Sequence, residues 1–202
     1  SVVCSVTGLG SVFIGGGIIL RLKQTIIKLF YFVSFKQKNC KIIFQNLDDF
    51  RDLSLPASFL KKVKIIPGSG VDVEVFKPPT PKKFQKKHAS FVLLASRMIY
   101  HKGVYDFVQA AEYLHKINAN VRMVLVGDID ELNPSSIPVK QLAKWDKEGF
   151  VEWWVGTDDI LSFFKSADLM VLPSYREGFP KVIMEAAAFG LPVVTYDVPG
   201  CR

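Results

Sequence analysis

The chain has 202 residues, enough for one large domain or two small ones, and 49% of them are hydrophobic. This proportion excludes a mainly disordered chain and makes a folded α/β protein the first expectation. The net charge of +7 is uneven, because residues 1–66 hold 10 basic against 3 acidic residues, whereas residues 67–202 hold 16 of each. A basic first third favours an anionic partner, either phospholipid headgroups or nucleic acid.

The three cysteines, Cys4, Cys40 and Cys201, are isolated in the sequence and have no CxxC spacing. They indicate neither a disulfide framework nor a zinc site. The chain opens with Ser1 rather than Met and ends at Arg202, one residue after a Pro-Gly-Cys turn. We therefore expect it to be a fragment.

The first third predicts an α/β unit. A glycine-rich turn through Gly17 leads into a helix, and Asn46, Asp48 and Asp49 offer N-cap chemistry for a second helix that begins near Asp49. Short apolar runs predict strands at residues 2–6, 41–44 and 64–66.

The apolar stretch from residue 9 to 35 contains too many polar residues for a membrane span, which needs about 20 uninterrupted apolar residues. Arg21, Gln24, Thr25 and Lys28 are spaced to form a polar stripe along one helix. Two interpretations stay open. The helix lies flat on an anionic membrane surface, attracted through Arg21 and Lys28, or it covers the sheet of the first domain.

Proline, glycine and lysine dominate the segment between Pro67 and His88, where we place an interdomain linker at 67–89. A partial domain at 1–66 and a second domain at 90–202, truncated at its end, flank this linker. Strands are predicted in the second domain at 90–95, 121–126, 150–154, 169–172 and 192–196. Helices are predicted at 104–116, 139–147, 160–166 and 181–189. Continuously apolar strands that alternate with amphipathic helices predict a parallel sheet covered on both faces.

Ligands of such sheets gather at the carboxyl ends of the strands. Three loops should meet there: residues 96–103, the loop after Gly127, and residues 173–180. Arg97 and Lys102 bracket the start of the following helix and reinforce its positive dipole, which suits a diphosphate. Ordinary solvated charges are the alternative.

Residues 173–180 carry a second signal. Pro180 suits the first turn of a helix, and Gly178 lets backbone amides approach a ligand closely. Glu177 precedes this helix, and Glu185 lies about a turn and a half inside it. Both carboxylates can accept hydrogen bonds from sugar hydroxyls in one cleft, although the spacing alone also fits a dipole partner and a surface charge.

Gly8 and Gly10 suggest an anion-binding loop before the basic helix. Phe13 occupies the place of the third glycine, so the dinucleotide fingerprint fails, and a plain tight turn fits as well.

The string EGFPKVIME followed by AAAFGLPVV closely resembles the signature of retaining glycosyltransferases of family 4. Five further segments match that family in order: IIPGSGVDVEVF, SRMIYHKG, VLVG, SADLMVLPSYREGFP and DVPGCR. The resemblance covers roughly residues 40–202, and several motifs in register are more specific than any one. The first 40 residues match more loosely, and Thr7 stands close to where many relatives carry a donor-contacting His.

The resemblance implies a GT-B fold, with two Rossmann-like domains facing each other across a cleft. The first domain binds mainly acceptor and the second mainly the nucleotide-sugar donor. Glu177, Arg97 and Lys102 would form the catalytic group, with Arg97 and Lys102 on the donor diphosphate and Glu177 on the sugar. The donor-binding residues would be Gly178, Phe179, Pro180, Glu185, Gly8 and Gly10, with Glu185 on the ribose hydroxyls.

The implied activity is sugar transfer, with retention, from a UDP- or GDP-sugar to a lipid-linked saccharide or polysaccharide of the bacterial envelope. UDP-hexose or UDP-N-acetylhexosamine is the expected donor. No metal or other cofactor is expected, because the basic pair does the work of a divalent ion. We expect a cytoplasmic location at the inner face of the membrane, and an inactive fragment, because the acceptor half of the cleft is incomplete.

Two alternatives belong to other classes. A non-hydrolytic sugar-nucleotide epimerase would share the nucleotide pocket but differ in the carboxylates that face the sugar. A non-catalytic nucleotide- or nucleic-acid-binding module would use the basic first third. The lysines at 36–41 and 82–87 lack the interleaved aromatic residues of a base-stacking platform, so no nucleic-acid partner is expected.

Overall fold

The computed structural model describes residues 2–78, 89–157 and 159–202, and the chain forms two compact units. The first unit contains the residues up to Gly70 together with Arg176–Lys181 and Asp197–Arg202, and the second contains Val71–Tyr175 and Val182–Tyr196. Residues 79–88 of the predicted linker, with the lysines at 82–87, lie outside the described residues. The domain boundaries at 66 and 90 stay predictions.

The first unit is built on a small parallel sheet. Its strands are β1 (Val2–Val6), β2 (Cys40–Phe44) and β3 (Val63–Ile65), in the order β1-β2-β3. Helix α1 (Ile18–Phe35) connects the first two strands, and helix α2 (Leu47–Asp52) follows the second. The Asn46 side chain accepts a hydrogen bond from the Asp49 amide, so Asn46 is the N-cap and α2 begins two residues earlier than predicted.

The core of this unit lies on one face of its sheet. Cys40, Ile42 and Phe44 alternate along β2 and are at most 2% exposed. They pack in one cluster with Phe35 of α1 and Phe50 of α2. Because alternate side chains of a strand share one face, this pattern fixes which side of β2 the helices cover.

The outer face of helix α1 is apolar and exposed. The large apolar side chains exposed on it are Ile18, Ile19, Leu22, Ile26, Leu29, Phe30 and Val33. At 100° per residue these seven positions fill about 120° of the helix circumference without a break. Two members of the predicted polar stripe instead hydrogen-bond within the unit, since Gln24 Nε2 donates to Val12 O at 2.9 Å and Lys28 Nζ to Ser54 Oγ at 3.2 Å. None of the helices in the described ranges is long and apolar enough to cross a membrane.

The second unit contains a five-stranded parallel sheet in the order β6-β5-β4-β7-β8. Its strands are β4 (Ser90–Ala95), β5 (Val121–Val126), β6 (Glu152–Trp154), β7 (Leu169–Leu172) and β8 (Val193–Thr195). Its helices are α3 (Val104–Lys116), α4 (Val139–Lys147), α5 (Ile160–Ser166) and α6 (Lys181–Ala188). The predicted bounds of β4, α3, β5, α4, α5 and β7 are confirmed, while β6 and β8 are each two residues shorter than predicted and α6 is one residue shorter.

Helices cover both faces of this sheet. Val92 and Leu94 point to one side and pack with α3 and α4, whereas Phe91, Leu93 and Ala95 point to the other and pack with α5 and α6. Residues 91–95 of β4 and 123–126 of β5 are buried on both faces, which is why these stretches are continuously apolar in sequence. The predicted parallel sheet covered on both faces is confirmed.

The strand order creates a switch point. From central β4 the chain adds β5 and β6 on one side, and then returns to add β7 and β8 on the other. Connections after β4 and β7 therefore leave toward opposite faces of the sheet. In open parallel sheets the crevice at the carboxyl ends of two such strands is where ligands bind.

Candidate functional site

The loops after β4, β5 and β7 meet at the carboxyl edge of the second unit's sheet, as the sequence predicts. The Met98 amide donates to Asp128 O at 2.9 Å, which joins the loops after β4 and β5. The Tyr175 amide donates to His101 O at 3.0 Å, which joins the loops after β4 and β7. The described part of the third loop that belongs to this unit ends at Tyr175.

Arg97 and Lys102 lie in the loop between β4 and α3, as predicted from the sequence. Lys102 ends a short 3-10 helix, Tyr100–Lys102, directly before α3. The side chain of Arg97 is 60% exposed and its Nη1 lies 2.6 Å from Asp130 Oδ2. Two cations thus lie before the N-terminus of a 13-residue helix, whose dipole attracts anions, and Asp130 offsets part of their charge.

Asp130 belongs to the site although no sequence signal points to it. It follows β5 in the loop that was predicted to join the site, but no motif distinguished it from Asp128 or Glu131. Only the strand order shows that its carboxylate reaches the arginine after β4.

His101 is held in this loop through its ring. Its Nε2 lies 3.0 Å from Ser135 Oγ, and its Nδ1 is buried. Burial lowers the pKa of His101 below its ordinary value of 6.5, so the imidazole is neutral at physiological pH. A neutral ring beside Lys102 leaves the cationic character of the loop to the lysine and to Arg97.

Two tyrosines, Tyr175 after β7 and Tyr196 after β8, bind these ends of the sheet to α3. Tyr175 Oη and Tyr196 Oη each donate to Asp106 Oδ2 at 3.0 Å, and the two rings stack with centroids 6.3 Å apart. Burial, followed by the hydrogen bond to the Asp106 carboxylate, raises the pKa of Tyr175. Both hydroxyls therefore stay protonated as donors, and this network fixes the loop after β7 against the first turn of α3.

Glu185 lies inside α6 and is only 9% exposed. Ala186, which follows it, is fully buried in the core between α6 and the sheet. A carboxylate is rarely buried this deeply without a partner or a ligand, and Glu185 has an interaction within the chain.

Glu177, Gly178, Phe179 and Pro180 belong to the first unit, within the segment Arg176–Lys181. A Cβ on Gly178 would lie 1.6 Å from the carbonyl oxygen of Thr7, so only glycine fits there. The Glu177 amide donates to Pro199 O at 3.0 Å. Backbone from three separate parts of the sequence therefore packs around Glu177.

The two predicted glycines of the first turn have different surroundings. Gly8 lies beside the proposed sugar loop, because a Cβ on Gly8 would lie 3.3 Å from the Gly178 amide nitrogen. Gly10 precedes the 3-10 helix Ser11–Phe13, and a Cβ there would meet no atom of the described residues within 4 Å. The structure thus brings Gly8 and Gly178 together in the first unit, and it places Arg97, Lys102 and Glu185 in the second.

A second group missed from the sequence surrounds Arg176. Its guanidinium pairs with Asp49 and Asp52 of α2, and the side chain is 7% exposed. Asp49 is 127 positions away in sequence, so no spacing signal links the two residues. Within residues 2–78, 89–157 and 159–202, no group of three or more His, Cys, Asp or Glu side chains is arranged to hold a metal ion.

Curated relatives of the chain are sugar transferases. It is 34% identical over 97% of its length to the N,N'-diacetylbacillosaminyl-diphospho-undecaprenol alpha-1,3-N-acetylgalactosaminyltransferase of Campylobacter jejuni, covering 52% of that protein. It is 28% identical to the UDP-Gal:alpha-D-GlcNAc-diphosphoundecaprenol alpha-1,3-galactosyltransferase of Escherichia coli, covering 85% of the chain and 50% of that protein. The chain spans about half the length of these curated relatives.

Solved structures show the fold. The glycosyltransferase WaaG, involved in lipopolysaccharide biosynthesis, matches with a TM-score of 0.73 at 23% identity, over 98% of this chain and 57% of that one. Anabaena Alr3699/HepE in complex with UDP matches with a TM-score of 0.72 at 22% identity, over 98% of this chain and 54% of that one. The fold is of GT-B type, as the resemblance implied. Residues 77–202 match the model of the family described as glycosyl transferases group 1, and the chain belongs to that family.

Proposed function

We propose that the chain is the donor-binding part of a retaining glycosyltransferase that uses a UDP-hexose or UDP-N-acetylhexosamine. The observation that carries the proposal is the loop between β4 and α3, which holds Arg97 and Lys102 at the switch point of the sheet. The acceptor is a lipid-linked saccharide or polysaccharide. The undecaprenol-diphosphate acceptors in the names of the Campylobacter jejuni and Escherichia coli relatives support this choice.

Each proposed residue has a chemical task. Arg97 and Lys102 bind the diphosphate and stabilise the charge that grows on it as the bond to the sugar breaks. Glu177 accepts hydrogen bonds from the sugar, and the backbone of Gly178 to Pro180 and of Gly8 and Gly10 lines the donor site. Glu185 accepts from the ribose hydroxyls.

The reaction follows from the family resemblance. The bond between the anomeric carbon and the diphosphate oxygen breaks, and a bond from the acceptor oxygen forms on the same face. The acceptor proton passes to the leaving phosphate, so the sugar keeps its configuration. This step needs no metal, because Arg97 and Lys102 neutralise the leaving group.

The membrane partner is proposed from helix α1. Its outer face exposes seven large apolar side chains, the exposed Lys23 lies about 20° beyond one edge of that face, and the exposed Arg21 lies about 60° beyond the other edge. An apolar face flanked by basic residues suits the headgroup region of an anionic bilayer. We place the enzyme at the cytoplasmic face of the membrane, where a lipid-linked acceptor would meet it.

Calorimetric titration of the 202-residue chain with UDP, GDP and a short oligonucleotide tests the donor proposal. Selective binding of one nucleotide, with a micromolar to millimolar Kd that Glu185→Ala raises, would support the donor proposal. Glu112→Ala on α3, where Glu112 pairs with the exposed Lys116, is the matched control. Oligonucleotide binding with a steep salt dependence would contradict the proposal and favour a nucleic-acid module.

Vesicle sedimentation tests the membrane proposal. The chain should bind phosphatidylglycerol vesicles more strongly than phosphatidylcholine vesicles, and the double substitution Leu29→Ser with Phe30→Ser should weaken that binding severalfold. Tyr113→Ser, which removes an aromatic ring that is 64% exposed on α3, is the control. Equal binding by the double variant and the control would show that α1 is not the membrane face.

A further inference from the structure

Arg176 is the most deeply enclosed arginine at the proposed site, and it lies directly before Glu177. Its Nη2 donates to Asp49 Oδ1, its Nη1 lies 2.6 Å from Asp52 Oδ2, and its side chain is 7% exposed. The guanidinium carbon also lies 5.8 Å from the centre of the Phe13 ring. Two carboxylates and an aromatic face thus hold one planar cation, which is the geometry that arginine suits and lysine does not.

The acidic partners of Arg176 come from the first third of the chain, which contains few acidic residues. Residues 1–66 contain three acidic side chains, Asp48, Asp49 and Asp52, and all three lie in α2. Asp49 is fully buried, and burial raises the pKa of its carboxyl, while the Arg176 guanidinium acts in the opposite direction. Arg176 therefore supplies a positive charge that opposes the cost of ionising a buried aspartate.

The same aspartate connects Arg176 to the residue on the other side of Glu177. Asn46 Nδ2 donates to Asp49 Oδ2 at 3.1 Å and to the Gly178 carbonyl at 2.7 Å. Asn46 Oδ1 accepts from the Asp49 amide at 2.8 Å, so the amide group of Asn46 is held at both ends. The side chain of Arg176 and the carbonyl of Gly178 are thereby fixed to the start of one helix.

Glu177 lies between these two anchors and is itself bonded, through its amide, to Pro199 O at 3.0 Å. Three consecutive residues are thus held by contacts that do not use the Glu177 carboxylate. A carboxylate that must meet a sugar hydroxyl within hydrogen-bond distance benefits from a backbone fixed in this way before the ligand arrives.

We propose that Arg176 is a positioning residue that fixes the backbone of Glu177, through Asp49, Asp52 and Asn46, for contact with the donor sugar. The inference rests on the proposed role of Glu177 in the donor site. It assigns to the arginine of the YREGFP string a role that acts on the sugar and leaves the nucleotide contacts unchanged.

The test compares the affinity of the 202-residue chain for UDP with its affinity for a UDP-sugar. The UDP-sugar is UDP-N-acetylglucosamine or UDP-N-acetylgalactosamine. Removal of Arg176 alone would leave Asp49 buried without its counter-ion and destabilise the unit. The variant is therefore Arg176→Met combined with Asp49→Asn, in which the asparagine still accepts from Asn46. Arg51→Met, which removes an exposed arginine from α2, the helix that contains Asp49, is the matched control.

We expect the Arg176→Met/Asp49→Asn variant to bind UDP within about twofold of the wild type. Its ratio of UDP-sugar to UDP affinity should shift by roughly tenfold, the effect of losing one hydrogen bond to a carboxylate. The shift should equal that of Glu177→Gln, and combining the substitutions should add nothing further, because both act on one contact. Arg51→Met should leave the ratio unchanged.

Three results would overturn the inference. An unchanged ratio in the double variant would show that Arg176 does not position Glu177. A parallel loss of affinity for both ligands would show a purely structural role. Independent, additive effects of Arg176 and Glu177 would separate the two residues. Failure of the wild type to bind any uridine nucleotide would instead overturn the proposed function, and so the two failures are distinguishable.

Discussion

The α-carbon of Gly103 lies against the backbone carbonyl of Pro173. A Cβ on Gly103 would lie 2.0 Å from the Pro173 oxygen, and the backbone at Gly103 has a φ of +71°. Gly103 ends the basic loop after β4 and Pro173 begins the loop after β7, so this contact joins two edges of the proposed diphosphate site.

Replacement of Gly103 by alanine should separate these loops. We expect Gly103→Ala to lower the free energy of unfolding by more than about 1 kcal/mol, because both the positive φ and the close carbonyl oppose a side chain. It should also weaken UDP binding. Gly149→Ala is the control, since Gly149 has a φ of +77° but a Cβ there meets no described atom within 4 Å. Equal stability of the two variants, measured by thermal unfolding, would show that the Pro173 contact is unimportant.

The second unit was largely predictable because most of its inner strands β4 and β5 is buried on both faces. Strand β5 is continuously apolar from Met123 to Val126 and is followed by Gly127, so an apolar run and a turn residue define its end without tertiary information. The edge of the sheet at which the loops meet could also be predicted, because the carboxyl ends of parallel strands lie at the same edge.

Long-range partners were not predictable. The partner of Arg97 is 33 positions away at Asp130, and the partner of Arg176 is 127 positions away at Asp49. The outer face of α1 was also missed, because Arg21, Gln24, Thr25 and Lys28 form a stripe whichever way the helix faces. Only packing shows that Gln24 and Lys28 hydrogen-bond within the unit while the apolar side chains lie outside.

The ion pair between Arg97 and Asp130 should oppose donor binding. We expect Asp130→Asn to strengthen UDP binding by up to about fivefold, because removal of one exposed charge partner is worth about 1 kcal/mol or less. The gain should fade as salt is raised. Glu131→Gln removes the same charge at the exposed neighbouring residue and is the control. Weaker UDP binding in Asp130→Asn would mean that Asp130 orients Arg97 for the ligand.

His101 should make stability depend on pH. Its pKa is lowered in the folded chain, so the unfolded chain binds more protons at pH values below 6.5. The contribution of His101 is complete above that value and is lost as the pH falls through the folded pKa. We expect His101→Gln to flatten the decline of the unfolding midpoint between neutral and mildly acidic pH, with His115→Gln as the control. An equally steep decline in His101→Gln would assign the proton uptake to another group.

Phe76 links the predicted linker to the core of the second unit. It is 9% exposed, and its ring centroid lies 5.8 Å from that of Phe164 in the core cluster beneath α5 and α6. Phe76→Ala should lower the free energy of unfolding of this unit by about 3 kcal/mol, whereas Val75→Ala, at a side chain that is 48% exposed, should have little effect. Intrinsic tryptophan fluorescence reports this unit selectively, because Trp145, Trp153 and Trp154 all lie in it. Equal denaturation midpoints for the two variants would show that residues 71–78 act as a linker. A large loss of unfolding free energy in Phe76→Ala alone would show that the proposed donor-binding domain begins before Phe76.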